Sequence, residues 1–91
     1  MTKSEKQYLQ KLEGEAWLKL AKAHYDFITL HGTFNTFDDY QEALSKNERY
    51  NRCLSKWNLL ITILEHFNIE CDGVLHSKAL DISLKEPKLY N

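Results

Sequence analysis

Two cysteines and four histidines are the side chains best suited to nucleophilic or metal chemistry in this sequence. Cys71 and His76 are close enough along the chain to reach one ion. Zinc, however, takes three or four protein ligands, and two do not make a site. His24 and His31 share a helical face but stand ~10 Å apart along the axis at a rise of 1.5 Å per residue, too far for one ion. Neither Cys-x-x-Cys nor His-Glu-x-x-His occurs. Cys53 has no histidine one turn away. Its neighbours on a helix are Arg49, Tyr50, Trp57 and Asn58, so it reads as a packed thiol. The carboxylate pairs Glu13/Glu15 and Asp38/Asp39 fit helix surfaces and helix N-termini. The three glycines stand alone, so no phosphate loop is formed. These residues predict no catalytic centre, no metal and no cofactor.

Two surfaces are candidates for binding instead. Lys46, Arg49, Arg52 and Lys56 recur at helical spacing, and the last three share about 60° of arc. Flanked by Asn47, Asn51 and Ser55, this basic face is the candidate contact to a phosphate backbone. The other surface lies on the first helix, which is apolar on two opposite sides. Leu9, Leu12, Ala16, Leu20, Ala23, Phe27 and Leu30 fall within about 80° of arc and form the expected core stripe. On the far side Gly14, Leu18, Ala21 and Tyr25 have the spacing of a second packing seam. Two of these are small and admit another helix closely, whereas Leu18 and Tyr25 are large knobs. Trp17, His24 and Ile28 widen the apolar surface between the two sides. A monomer of two or three helices does not easily bury both sides of one helix. Gly14, Trp17, Leu18, Ala21 and Tyr25 are therefore the expected protein interface. The stretch from Trp57 to Phe67 is likewise apolar over about 200° of its circumference.

The elements that position these residues follow from caps and breakers. Thr2 with Glu5 makes a capping box, and Gly32 stops the helix, which predicts a first helix near 3–31. Thr36 caps a second helix, with Asp38 and Asp39 favoured in its first turn. Phe34 and Phe37 are expected to turn inward. Ser45-Lys46-Asn47-Glu48 is another capping-box pattern, and the apolar stripes on its two sides are rotated relative to one another. That predicts helices near 37–45 and 46–68, with one continuous kinked helix as the alternative. Asn68 is placed to end the last of these, with Ile69 folding back. Asp72-Gly73 signals a turn. A weak helix is expected near 75–83, with a frayed tail over 85–91 beyond it.

Composition agrees with this plan. Fourteen Leu against one Val, with one Pro, favours helices over strands in a chain of 91 residues. The net charge of −1 gives no global attraction to nucleic acid or an acidic membrane surface. The longest apolar stretch is far short of the ~20 residues a membrane span needs. The N-terminus has no apolar run behind its charges, so a cytoplasmic protein with reduced thiols is expected.

Two short stretches carry a resemblance. Met1-Thr2-Lys3, Glu5-Lys6 and Leu9, and then Glu48, Tyr50, Cys53-Leu54, Lys56 and Trp57, are similar to the Rop family of small plasmid proteins, dimeric four-helix bundles that bind RNA. The resemblance implies a dimeric helical hairpin. That family's RNA-contacting face presents Asn, Phe and Gln along the first helix, where this chain has Gln10, Gly14 and Leu18, so RNA binding is not implied.

The expectation is one all-α domain, with two long antiparallel helices, a short intervening helix and a short C-terminal helix or tail. Two copies are expected to pair into a four-helix-type bundle. Its predicted role is that of a non-enzymatic interaction module with a protein partner, a second copy, or both. A phage or mobile-element inhibitor acting on a host macromolecule would suit its size. Nucleic-acid binding through the basic face is the alternative.

Overall fold

A computed structural model describes residues 1–90, and these are helical with no strand: α1 (Lys3–His31), α2 (Phe37–Ser45), α3 (Glu48–His66) and α4 (Gly73–Leu84). The helix ends are fixed by side-chain caps. Thr2 and Glu5 form the full capping box on α1, and Gly32 leaves it at φ 85°, where a side chain would be strained. Thr36 accepts from the Asp39 amide, and Asp72 accepts from those of Val74 and Leu75. Residues 37–66 form two helices, not one kinked helix. The break falls at Lys46–Asn47, and Asn47 caps α3 while the Asn51 amide group donates to the Leu44, Ser45 and Asn47 carbonyls. So α3 begins later and ends earlier than the expected 46–68. Asn68 adopts φ 53°, and the Ile69 amide donates back to Leu64 at 2.8 Å, a glycine-like stop made by asparagine.

α1 carries the other helices. Trp57 meets Glu13 and Arg49 meets Asp26, so α3 runs antiparallel to α1. His76 meets Glu13 and Glu86 meets His24, so α4 runs parallel to it. Both long-range neighbours pack on α1, while α3 and α4 make little contact with each other. The molecule is elongated, at 49 × 22 × 17 Å. Each apolar side of α1 therefore has its own helix. The core stripe faces α3, burying Ala16, Leu20 and Ala23 with Leu60 and Leu64. The Gly14 side faces α4. Gly14 is buried, and a Cβ built there would lie 2.7 Å from Leu75 Cδ1, so only glycine admits α4 this closely.

Three further expectations are corrected. Phe34 is buried, but Phe37 is 58% exposed, because its place at the start of α2 turns it away from the core. The tail does not fray over its described residues. The Phe34 amide donates to the Leu89 carbonyl at 2.8 Å, and Leu89 and Tyr90 pack on the cluster of Phe27, Ile28 and Phe34. α4 is likewise a full helix of 12 residues, longer than the weak 75–83 element expected. The expectation for Asn91 lies outside the described residues.

Candidate functional site

Between the two packed sides of α1 runs a strip formed by Glu13, Trp17, His24 and Ile28, spanning about 60° of arc. α3 and α4 close over its Glu13–Trp17 end, and α2 with the C-terminal tail packs at its Ile28 end. Two polar clusters occupy the strip, each packed among aromatic rings.

The first is centred on Glu13, which is 0% exposed. A carboxylate so buried is tolerated only with strong partners. The Trp57 indole N–H donates to Oε2 at 2.7 Å, and His76 Nε2 lies 2.7 Å from Oε1 and 2.9 Å from Oε2. Facing a carboxylate, Nε2 is the protonated ring nitrogen and donates. Trp17 covers the group, stacked on His76 at 5.7 Å and tilted against Trp57 at 4.6 Å. Cys71, on the connection between α3 and α4, completes the cluster: one donor atom each from Glu13, Cys71 and His76 lie within 4.8 Å of one another. Desolvation pushes the Cys71 thiol up, and the Glu13 and Glu65 carboxylates push it further. It stays protonated near neutral pH and is a poor nucleophile.

The second cluster is centred on His24. Its Nδ1 donates to Glu86 Oε1 at 2.6 Å, and its Nε2 lies 2.6 Å from the Tyr40 hydroxyl. Burial pushes the Tyr40 phenol up to about 12, with Tyr50, Glu86 and Tyr90 adding to it. Burial also raises Tyr50. Tyr40 therefore keeps its proton. Between the clusters lies a hollow of about 180 Å³ bounded by Trp17, Leu20, Ala21, His24, Tyr50, Ser83 and Glu86. That is small against the ~300–1,000 Å³ usual for a metabolite site.

The residues singled out from sequence are placed as follows. Gly14 is buried, and Trp17, Leu18, Ala21 and Tyr25 are partly buried. Gly14 packs against Leu75 of α4 and Trp17 against His76, so the chain's own fourth helix meets the seam for which an outside helix was expected. Among the basic residues, Lys46 pairs with Glu42 at 3.2 Å and Arg49 with Asp26. Arg52 and Lys56 are exposed. Tyr25 from the first set and Arg49 from the second come together in a groove of about 350 Å³, bounded also by Lys22, Asp26, Ile82 and Lys85. Sequence reasoning missed Glu13, which it assigned to a helix surface. The available signal was its place between two apolar sides, one turn before Trp17.

No family model matches this chain, and neither a curated protein nor a solved structure matches it. Among the described residues, no helix is long and apolar enough to cross a membrane.

Proposed function

We propose that the protein is a non-enzymatic helical interaction module whose partner is a protein with an acidic, apolar-anchored segment. The observation that carries this reading is the groove between α1, α3 and α4, where Tyr25 and Ile82 lie among Lys22, Arg49 and Lys85. An apolar floor with a cationic rim suits an inserted apolar side chain flanked by carboxylates. Asp26 is already paired with Arg49, which leaves the two lysines to meet an incoming charge. A cytoplasmic inhibitor or regulator from a phage or mobile element would fit this size and plainness. A second copy would have a different place to dock, the outer face of α4, where Val74, Leu80 and Leu84 are 67%, 58% and 74% exposed.

Nucleic-acid binding is supported less well, because two cations of the basic face are held by the chain's own carboxylates. One experiment separates the readings. Affinity capture from the native host is run in parallel with wild type and a Lys22→Glu/Lys85→Glu variant. Retention of one protein by wild type only, with elution by salt, supports the groove. Equal retention by both chains, or none by either, overturns it. A salt-sensitive mobility shift of mixed DNA and RNA that Arg52→Glu/Lys56→Glu abolishes would move the function to the basic face.

A further inference from the structure

Glu13, Cys71 and His76 offer a mixed oxygen, sulfur and nitrogen donor set from three separate parts of the fold: the middle of α1, the α3–α4 connection and the first turn of α4. We propose that these three side chains form a binding site for one divalent ion of the zinc class, with a fourth coordination position open to water.

Distance favours this assignment. Around a tetrahedral zinc ion, donors at bond lengths of ~2.0–2.3 Å stand about 3.3–3.6 Å apart. Here His76 Nε2 and Glu13 Oε1 are 2.7 Å apart, and all three donor atoms fall within 4.8 Å. Entry of the ion opens the first contact by less than an ångström and draws the sulfur inward. Cys71 lies on the exposed connection and is free of any disulfide, so its approach disturbs no packing.

Charge favours it too. Glu13 has no access to water, so its charge must be balanced inside the protein. A divalent ion held by carboxylate, thiolate and neutral imidazole leaves no net charge. The thiol proton passes to solvent through the exposed Cys71 side, and the imidazole proton moves from Nε2 to Nδ1, which keeps the ring neutral.

The surroundings already orient the ligands. The Trp57 indole fixes the carboxylate through Oε2, leaving Oε1 toward His76, and Trp17 holds the imidazole plane by stacking at 12°. Such outer contacts tune metal sites as strongly as some ligands do. Three protein ligands and an open position are the coordination of zinc sites that bind a further group, and here the ion would also pin α4 to α1. The site is separate from the Tyr25 groove, so either proposal stands or falls alone.

The test uses the full chain, stripped with a chelator and titrated with Co²⁺. The expected result is one equivalent bound with the absorption of a four-coordinate ion carrying a thiolate, then displacement by Zn²⁺. Zn²⁺ should also raise the melting temperature. Cys71→Ser alters an exposed side chain, so it should keep its helical circular dichroism, lose the thiolate band and weaken binding about 100-fold. His76→Gln, which preserves an amide hydrogen bond to Glu13, gives an independent loss of similar size. Trp57→Phe should weaken binding about 10-fold, as outer-contact losses do. An unsaturable Co²⁺ titration of wild type, half an equivalent per chain, or unchanged binding by Cys71→Ser would each overturn the site.

Discussion

The two polar clusters on α1 are near mirror images in chemistry and differ in burial. Each joins α1 to α4, or to the residues just after it, through one carboxylate and one imidazole, at almost the same sequence offset. At the lower clasp α1 supplies the carboxylate, Glu13, and α4 the histidine. At the upper one α1 supplies the histidine, His24, and Glu86 follows α4. The Glu13 side chain is 0% exposed, whereas both members of the upper pair retain some contact with water, at 20% and 16%. So the lower anion must be balanced by the protein or by an ion, while water shares the upper one. Ion-pair type alone sets neither the energy nor the chemistry of a clasp. The exposure of its charged acceptor sets both.

Removing the two carboxylates tests this most directly. Glu13→Ala takes the shared acceptor from the Trp57 N–H and from the part-exposed His76 ring and opens a cavity, for a loss of about 2–3 kcal/mol. Glu86→Ala removes a partner that water can partly replace, for about 1–2 kcal/mol. Urea unfolding followed by circular dichroism measures both. Equal losses would break the contrast between the clasps.

The lower clasp also requires close helix approach, and the upper one does not. A Cβ at Gly14 would meet Leu75 Cβ at 2.8 Å, and Leu75 immediately precedes His76. Overpacking costs about 1–3 kcal/mol, and the better helix propensity of alanine returns about 1, so Gly14→Ala should lose about 1 kcal/mol. In a Leu75→Gly background the obstructing Cβ and Cδ1 are both gone, and the same change should become stabilising. Additive effects of the two substitutions would show that α4 is not seated on Gly14.

The same contrast explains what could be read from the sequence. Caps and periodicity reveal α1, α2 and the break before α3, because Thr2, Thr36 and Gly32 act locally and the apolar spacing is regular. The second side of α1, Gly14 to Tyr25, is legible as a seam, but its partner is not. α4 has apolar side chains on its outer face as well as its inner one, so its periodicity is weak and its weight in the fold is hidden. The tail is hidden for a similar reason. Leu89 and Tyr90 are held by a backbone contact to Phe34, which no local pattern announces. Glu13 is the sharpest case. Its type points to a surface, its neighbours on the helix wheel point to a core, and only the meeting of Trp57 and His76 from distant segments decides between them. Cys71 and His76 are recognisable as a pair of ligands. The carboxylate that the fold brings beside them, Glu13, comes from α1, far away in the sequence.

The upper clasp has a signature of its own at high pH, because its third member is a phenol. Tyr40 ionises at about 12 in the folded chain against 10.0 for an ordinary tyrosine, chiefly through burial. The neutral phenol is thus favoured by folding. Its contribution is fully present below pH 10 and is lost as pH rises toward 12. Tyr40→Phe gives up the hydrogen bond to His24, a loss of about 1 kcal/mol at neutral pH. Between pH 10 and 12 the variant should decline less steeply than wild type, so the gap narrows and then closes. Tyr50 is raised by burial as well, and Tyr50→Phe serves as the control for its share of the decline. The lower clasp has no phenol, but Glu13 raises the Cys71 thiol, so Glu13→Gln is read in a Cys71→Ser background, where it should lower the whole curve and leave the Tyr40 limb unchanged. Urea midpoints collected across the window check wild type, the Cys71→Ser background and the three variants. Parallel decline of wild type and Tyr40→Phe would show that the proton held between His24 and Tyr40 contributes nothing to the stability of the upper clasp.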